Sequence, residues 1–166
     1  DHSLQAVILR PGLIFGPGAE QTTPNGVIAL AGRWVAVGGG SATIPLVYVD
    51  DVVDAILLAS ERDAANGRIF HVVDPAPVTQ REYLAKAKAR AGGSLRTVRV
   101  PQWLFMLPAM GVELIGKLAR RDVPLTRYRV RSLRPLAGID VARAEEGLGW
   151  APRVGVREGL RRTFGG

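Results

Sequence analysis

The clearest candidate for a functional site in this sequence is a pair of proline–glycine steps that lie close together. Residues 9–18 read LRPGLIFGPG and overlap the largely apolar residues 4–9. An apolar run of this kind predicts a strand that is covered on both faces of a parallel sheet and ends at a Pro11-Gly12 turn. Loops beyond the carboxyl ends of such strands are where α/β proteins bind ligands. We therefore expect the chain after Pro11 to contact a ligand.

Three other groups of side chains have simpler explanations. Asp50 and Asp51 are adjacent, so on a helix they face different directions, and we interpret Asp50 as a helix N-cap. Residues 111–117 fit the phosphate-loop spelling GxxxxGK, but they lack the Ser or Thr that follows it and the strand that precedes it. The histidines, His2 and His71, form no ligand cluster and cysteine is absent, so no metal site is predicted.

The segments that would position these groups alternate between strand and helix. Strand patterns cover residues 35–37, 44–49, 68–73 and 95–100, and helix patterns cover 27–34, 50–61, 79–91, 103–119, 126–133, 140–148 and 156–164. Thr79 can cap the helix that follows it, with Glu82 as its partner in a capping box. The alternation predicts an α/β fold.

Positive charge is concentrated in the second half of the chain. The protein carries a formal net charge of +7, and residues 81–134 contain 13 Lys and Arg against three acidic residues. Such a segment is typical of proteins that bind anionic ligands or lipids, although an ordinary solvated face has the same composition. Aromatic residues do not interleave with the basic ones, so nucleic acid is not an expected partner. Arg127 and Arg131 share one helix face, which could hold an anion or face solvent.

Residues 103–119 form the most apolar helical pattern. They fall short of the roughly 20 residues that span a bilayer and include Pro108, Glu113 and Lys117, so a transmembrane helix is not expected. The segment could line an apolar pocket, lie at a membrane surface or pack in the core. We see neither a signal peptide nor a cysteine, and we expect a cytoplasmic protein.

Four segments, in order, resemble the C-terminal half of the extended short-chain dehydrogenases/reductases, the NAD-dependent epimerase/dehydratase family. Residues 9–18 resemble the family's LRPxxVYGPG segment, and residues 45–55 resemble xxFVHVDDVAxA. Residues 67–79 resemble GxxYNVxx…xxT, and residues 148–160 resemble LGWxPxxxxxEGL. The pattern is most similar to the branch of dihydroflavonol reductases and 3β-hydroxysteroid dehydrogenases.

The resemblance implies an α/β protein in which the C-terminal part of a Rossmann-type parallel sheet carries a small α/β substrate domain. Residues 1–75 would supply the last strands and helix of the Rossmann-like domain, with a substrate-side segment inserted at about residues 20–45. Residues 76–166 would form mainly the substrate-binding domain.

The resemblance also assigns roles to single residues. In the family, residues matching Pro11, Gly12 and Leu13 pass the nicotinamide ring of NAD or NADP, and a backbone amide there can bind the carboxamide. The implied substrate-pocket walls are Phe15, Tyr48, Arg127 and Arg131.

Two family motifs are missing from these 166 residues. There is no GxxGxxG turn for the pyrophosphate, and no tyrosine is followed four residues later by the lysine of the catalytic YxxxK pair. The stretch at residues 9–18 also lies too near residue 1 to be preceded by the phosphate-binding strand and helix. We therefore expect the C-terminal half of an enzyme, with no catalytic residue of its own and with an N-terminal Rossmann half as its partner.

The substrate class can be narrowed by two positions. In sugar-nucleotide relatives the residue matching Leu13 is often Asn, and the residue matching Ile44 is often Arg. Both are apolar here, so sugar hydroxyls or a diphosphate would be buried unpaired. We expect hydride transfer at a carbinol or ketone carbon of a largely apolar small molecule.

Two alternative functions remain open from the sequence. The protein could be a nucleotide-sugar epimerase or dehydratase, or a non-catalytic binding or assembly subunit with a degenerate dehydrogenase fold. The incomplete sheet should also expose an apolar strand edge, through which the chain could form a homodimer.

Overall fold

The computed structural model describes residues 6–30, 32–92, 94–101, 103–104 and 139–165. The strands are Ile8–Pro11 (β1), Leu13–Phe15 (β2), Val27–Leu30 (β3), Arg33–Val37 (β4), Leu46–Tyr48 (β5), Ile69–Val72 (β6) and Arg96–Val100 (β7). The helices are Val49–Glu61 (α1), Gln80–Arg90 (α2), Ala142–Leu148 (α3) and Gly155–Phe164 (α4), with a 3-10 turn at Asp63–Ala65. The described parts of residues 1–22, 43–78 and 136–166 form a first compact unit, and those of 23–42 and 79–135 form a second.

Two parallel strand pairs meet at Gly12 in the first unit. β1 pairs with β6 and β2 pairs with β5, so the segment 8–15 changes its partner strand at this glycine. The Asp74 amide donates to the Leu46 carbonyl (2.9 Å) and joins the two pairs. Parallel strands need crossover connections, and α1 lies in the connection between β5 and β6. The predicted α/β class is confirmed.

One core cluster of the first unit lies between β6, α1 and α3. Its buried side chains are Val47, Val52, Ala55, Ala65, Phe70, Val72, Ala144, Leu148 and Trp150. The indole N–H of Trp150 also donates to the Asp51 carbonyl (2.8 Å). The apolar side chains of α3 and Trp150 thus pack in this core, and the predicted domain division at residue 75 stays a prediction.

The second unit contains a three-stranded sheet and one long described helix. β3 and β4 are antiparallel, and β7 runs parallel to β4 at the edge of the sheet. At the start of α2, the Thr79 hydroxyl accepts from the Glu82 amide (3.2 Å) and the Glu82 carboxylate accepts from the Thr79 amide (2.8 Å). The predicted capping box is confirmed.

Three local predictions are wrong. Residues 27–34 are not a helix but form β3 and the start of β4, where Ile28 lies opposite Val35 and apolar cross-strand pairs stabilise the hairpin. Asp50 is not the N-cap, since α1 begins one residue before it, at Val49. β1 is not covered on both faces, because Ile8 is 50% exposed.

Candidate functional site

Gly12 is the point at which the segment 8–15 passes between two neighbouring backbones. Its amide donates to the Val72 carbonyl (3.0 Å), and the Leu13 amide donates to the Pro45 carbonyl (2.7 Å). A Cβ at Gly12 would lie 2.5 Å from the Pro45 carbonyl oxygen, closer than real side chains come. Space, and not a left-handed backbone conformation, therefore requires glycine here.

The same hydrogen bonds restrict how this segment can hold a nicotinamide. Pro11 has no N–H, and the amides of Gly12 and Leu13 are used within the protein. A carboxamide would therefore need another donor. Pro11 is exposed and the next two residues are partly exposed, so the segment can still contact a ring from the solvent side.

A cleft of about 300 Å³ opens beside this step. Its walls include Ile44, Pro45, Val73, Asp74, Pro77 and Val141. Pro45 and Val73 are also the residues against which Gly12 packs. The cleft thus lies next to the predicted nicotinamide-side segment, where β1 and β6 end, and this edge is where α/β sheets bind ligands.

Asp74 is the charged side chain in the cleft wall, and both of its oxygens are occupied. One accepts from the Ala76 amide (2.7 Å) and the other from the Val156 amide (2.6 Å). The first bond shapes the turn that forms one wall, and the second joins that wall to the first turn of α4. A carboxylate at this position stabilises the free amides of a helix N-terminus. Asp74 therefore shapes the cleft.

Asp51 supports the start of the same helix. Its side chain is fully buried and accepts from the amides of Arg153 (2.8 Å), Val154 (2.9 Å) and Gly155 (3.0 Å). The Arg153 guanidinium also donates twice to Asp54, at 2.6 and 2.5 Å. Carboxylates from α1 thus fix the chain where it enters α4.

These roles of Asp51 and Asp74 were missed by the sequence reasoning. The partner amides of Asp51 lie 102 to 104 residues further along the chain, so no local pattern connects them. The sequence held one signal for the Asp51 contact. The segments 45–55 and 148–160, which contain its two sides, both resemble family motifs.

The aromatic residues predicted as pocket walls lie together in the core. The rings of Phe15 and Tyr48 pack edge to face with centroids 5.6 Å apart, and both side chains are buried. A Cβ at Gly159 of α4 would lie 2.5 Å from Cδ2 of Tyr48, so the helix covers the rings closely. A substrate contact through these rings stays a prediction.

The structure describes only some of the other predicted residues. Arg127 and Arg131 are outside the described residues, and of the helical pattern at 103–119 only Trp103 and Leu104 are described. His71 lies in β6. Within the described ranges, no cluster of His, Cys, Asp and Glu could hold a metal ion, and no helix is both long and apolar enough to cross a membrane.

Two titratable groups have strongly displaced pKa values. Burial raises the pKa of Tyr83, in the second unit, to about 12. Hydrogen bonds from Arg161 (2.7 Å) and Arg162 (2.9 Å) lower the pKa of Glu158 to about 2. Neither group titrates near pH 7, where general acid–base catalysis is most effective.

Comparison with known proteins places this arrangement in a family. The model of the NAD dependent epimerase/dehydratase family matches residues 1–72, which include the Gly12 step and α1. The 2-alkyl-3-oxoalkanoate reductase of Stenotrophomonas maltophilia is 31% identical over 98% of this chain, which covers 51% of that protein. The chain belongs to the NAD-dependent epimerase/dehydratase family.

Further family members are similar over nearly the whole chain. The 3β-hydroxysteroid-dehydrogenase/decarboxylase isoform 1 of Arabidopsis thaliana is 28% identical over 94% of this chain, which covers 39% of that protein. The crystal structure of a UDP-glucose 4-epimerase with UDP-glucose, from Thermotoga maritima, matches this chain with a TM-score of 0.59 at 22% identity. The match covers 97% of this chain and 45% of the epimerase chain. The chain therefore spans about half the length, or less, of these relatives. The likeness to the solved epimerase structure confirms the predicted Rossmann-type fold.

The described part of this epimerase/dehydratase family member can bind and orient a ligand. It offers a cleft lined mainly by apolar side chains, a narrow backbone step beside it and buried carboxylates that fix the surrounding elements. The carboxylate in the cleft wall, Asp74, accepts hydrogen bonds from two backbone amides.

Proposed function

We propose that these residues form the substrate-binding half of an NAD(P)-dependent oxidoreductase or epimerase that acts at a carbinol or ketone carbon of a largely apolar substrate. The observation that carries the proposal is the cleft beside Gly12, whose lining side chains are apolar except for those of Thr43 and Asp74. Membership of a family described as NAD dependent supports the choice of cofactor.

The nicotinamide ring of NAD or NADP would lie against Pro11, Gly12 and Leu13. The side chains of Pro11 and Leu13 offer apolar contact to the ring. Gly12 keeps the backbone close to Pro45, which also lines the cleft, so the ring and the cleft would be neighbours. The bound cofactor supplies or accepts the hydride. The role of this chain is to orient the ring and, through walls such as Ile44 and Val73, to exclude water from the reacting carbon.

An apolar substrate is supported by the cleft and by the relatives. Leu13 and Ile44 give no hydrogen bond to a sugar hydroxyl or a diphosphate, and burying such groups unpaired is costly. Two relatives act, by their names, on 2-alkyl-3-oxoalkanoates and on 3β-hydroxysteroids, both largely hydrocarbon molecules. The UDP-glucose-bound neighbour is 22% identical and supports the fold alone.

The proton-transfer groups and the pyrophosphate site would come from an N-terminal Rossmann half. An apolar surface suited to it includes Ile8 of β1 and Val53, Ile56 and Leu57 of α1, all at least 48% exposed. Among the described strands β1 pairs only with β6, so its other edge can accept a further strand. A cytoplasmic location is part of the same proposal.

The first test combines the coding sequence upstream of Asp1 with cofactor binding. We expect that sequence to encode a GxxGxxG turn and a YxxxK pair, and the protein that includes it to bind NADH or NADPH in a fluorescence titration. The 166-residue chain alone should bind neither. Micromolar NADH binding by the chain alone would contradict the proposal, and an upstream half without the tyrosine and lysine would favour the non-catalytic assembly subunit.

The substrate class is tested in the longer protein with ketones of increasing alkyl length and with UDP-glucose. We expect kcat/KM to rise with alkyl length and UDP-glucose to remain unconverted. Ile44→Arg should lower kcat/KM for the long ketones, whereas Ile28→Arg, at an exposed position of β3, should not. Conversion of UDP-glucose by the unmodified protein would favour the nucleotide-sugar alternative.

Self-association tests the exposed surface of the first unit. We expect the 166-residue chain to sediment as a dimer or larger species, because its apolar helix face and strand edge lack a covering partner. The double substitution Ile56→Ser and Leu57→Ser should shift it toward the monomer. A monodisperse monomer of the unmodified chain would contradict this proposal.

A further inference from the structure

The second unit carries a set of cations that the proposed function does not use. Its described residues contain seven Lys and Arg but one acidic residue, Glu82, whose carboxylate takes part in the capping box of α2. Within those residues the positive charge is therefore largely uncompensated, and this surface would attract an anionic partner.

Three of these cations converge on one cleft. Arg33 of β4 lies directly opposite Arg96 of β7, and neither forms an ion pair with an acidic side chain in the described ranges. Like charges directly opposite each other destabilise a strand pair, so an anion bound between them would relieve the repulsion. Lys88 of α2 lines the same cleft, which has a volume of about 330 Å³.

Apolar side chains lie beside the cations. Leu30, opposite Arg33 on β3, is 64% exposed, and Val98, two residues after Arg96, is 42% exposed. A free phosphate ion would gain nothing from leucine or valine, whereas a bilayer surface offers anionic headgroups above hydrocarbon. Faces that mix cationic and apolar side chains are typical of membrane-surface contacts.

We propose that this face of the second unit, the cleft of Arg33, Lys88 and Arg96 with Leu30 and Val98 beside it, binds the surface of an anionic phospholipid bilayer. The cations contact lipid phosphate groups, and the apolar side chains enter the region just below them. This contact would be independent of the dinucleotide site, and it would hold the protein where apolar molecules dissolve.

Co-sedimentation with vesicles tests the proposal. The chain should bind vesicles of phosphatidylcholine mixed with phosphatidylglycerol far more strongly than vesicles of phosphatidylcholine alone, and added salt should weaken that binding. Each basic residue near an anionic surface strengthens binding severalfold, so Arg33→Gln with Arg96→Gln should lower the partition coefficient by about tenfold or more. Leu30→Asn should also weaken binding.

A double variant in the first unit serves as the matched control for the Arg33 and Arg96 pair. Arg143→Gln with Arg157→Gln removes the same charge from exposed positions of the first unit and should leave binding within about twofold. Far-UV circular dichroism checks that each variant is folded. Equal binding to the two vesicle types, or equal loss in both double variants, would overturn the proposal. The proposal would also fail if Arg127→Gln with Arg131→Gln weakened vesicle binding while Arg33→Gln with Arg96→Gln did not. Displacement of the protein from vesicles by millimolar inorganic phosphate at constant ionic strength would overturn it as well.

Discussion

The two units of this chain use their charged side chains in opposite ways. In the first unit, buried Asp51 and Asp74 accept backbone amides at the start of α4, and Arg153 binds Asp54 through two hydrogen bonds. In the second unit, Arg33 and Arg96 stand opposite each other on neighbouring strands without an acidic partner in the described ranges.

The difference separates charges that build the fold from charges that are available to a partner. A buried carboxylate whose oxygens already accept amides has less capacity left for a ligand, but it fixes the elements around it, here the wall of the cleft beside Gly12. Exposed cations that face each other weaken the sheet slightly and remain available to an anion. Removing a charge should therefore destabilise the first unit and stabilise the second.

The largest expected effect is at Asp51. Asp51→Asn keeps the shape of the side chain but turns an amide NH2 toward backbone N–H donors, so a buried hydrogen-bond network is broken. We expect a loss of about 3 kcal/mol in the free energy of unfolding, measured by urea denaturation. Asp50→Asn is the matched control, since Asp50 is exposed, and it should change stability by less than about 0.5 kcal/mol. Equal losses in the two variants would refute the role of Asp51.

Gly12→Ala should give the next largest effect. The new Cβ would lie 2.5 Å from the Pro45 carbonyl oxygen, which is backbone and cannot move aside cheaply. We expect a loss of about 1–3 kcal/mol in urea denaturation, as for other overpacked sites. Gly39→Ala in the second unit is the control, because nothing lies within 4 Å of its Cβ position. A neutral Gly12→Ala would show that the strands can separate at this step without cost.

Arg96→Glu tests whether a charge change in the second unit raises the free energy of unfolding. It replaces a pair of like charges across β4 and β7 with a pair of opposite charges, so we expect a gain of about 0.5 kcal/mol in the free energy of unfolding. Arg99→Glu makes the same charge change on the same strand opposite Ala36 and should give no such gain. Destabilisation by Arg96→Glu alone would mean that Arg96 contributes to the fold of the second unit, and the contrast between the units would fail.

The smallest effect concerns Glu158, an exposed group in the first unit. Its pKa of about 2 is lower in the folded chain than the ordinary value of 4.5, mainly through the hydrogen bond from Arg161. The stability it contributes is therefore fully present above pH 4.5 and is lost as the pH falls toward 2. Arg161→Gln should raise this pKa in an NMR titration of the carboxyl carbon, whereas Arg157→Gln on the same helix should not.

The parts of the fold that depend on near neighbours were predicted best. The Thr79–Glu82 capping box needs residues three apart, and the structure contains it. The apolar residues 27–34 are compatible with helix or strand by themselves, and pairing with β7 as well as within the hairpin decides for strand.

The site predicted at residues 11–13 stays a prediction, and the contacts that surround it were not predicted. The LRPG segment indicated a ligand-side step at Gly12, and a cleft lies beside it. The residue that makes glycine necessary, Pro45, is 33 positions away and could not be identified from the segment itself.

The sequence by itself determined the α/β alternation, the positions of the four described helices, the family resemblance, the lack of a YxxxK pair in these 166 residues and the apolar residues at 13 and 44. Only the tertiary structure decided that Asp51 and Asp74 hold the start of α4, and that Arg33 meets Arg96. Helix periodicity and capping depend on residues within one or two turns, so they can be read locally. Carboxylate–amide contacts across a hundred residues depend on the path of the whole chain.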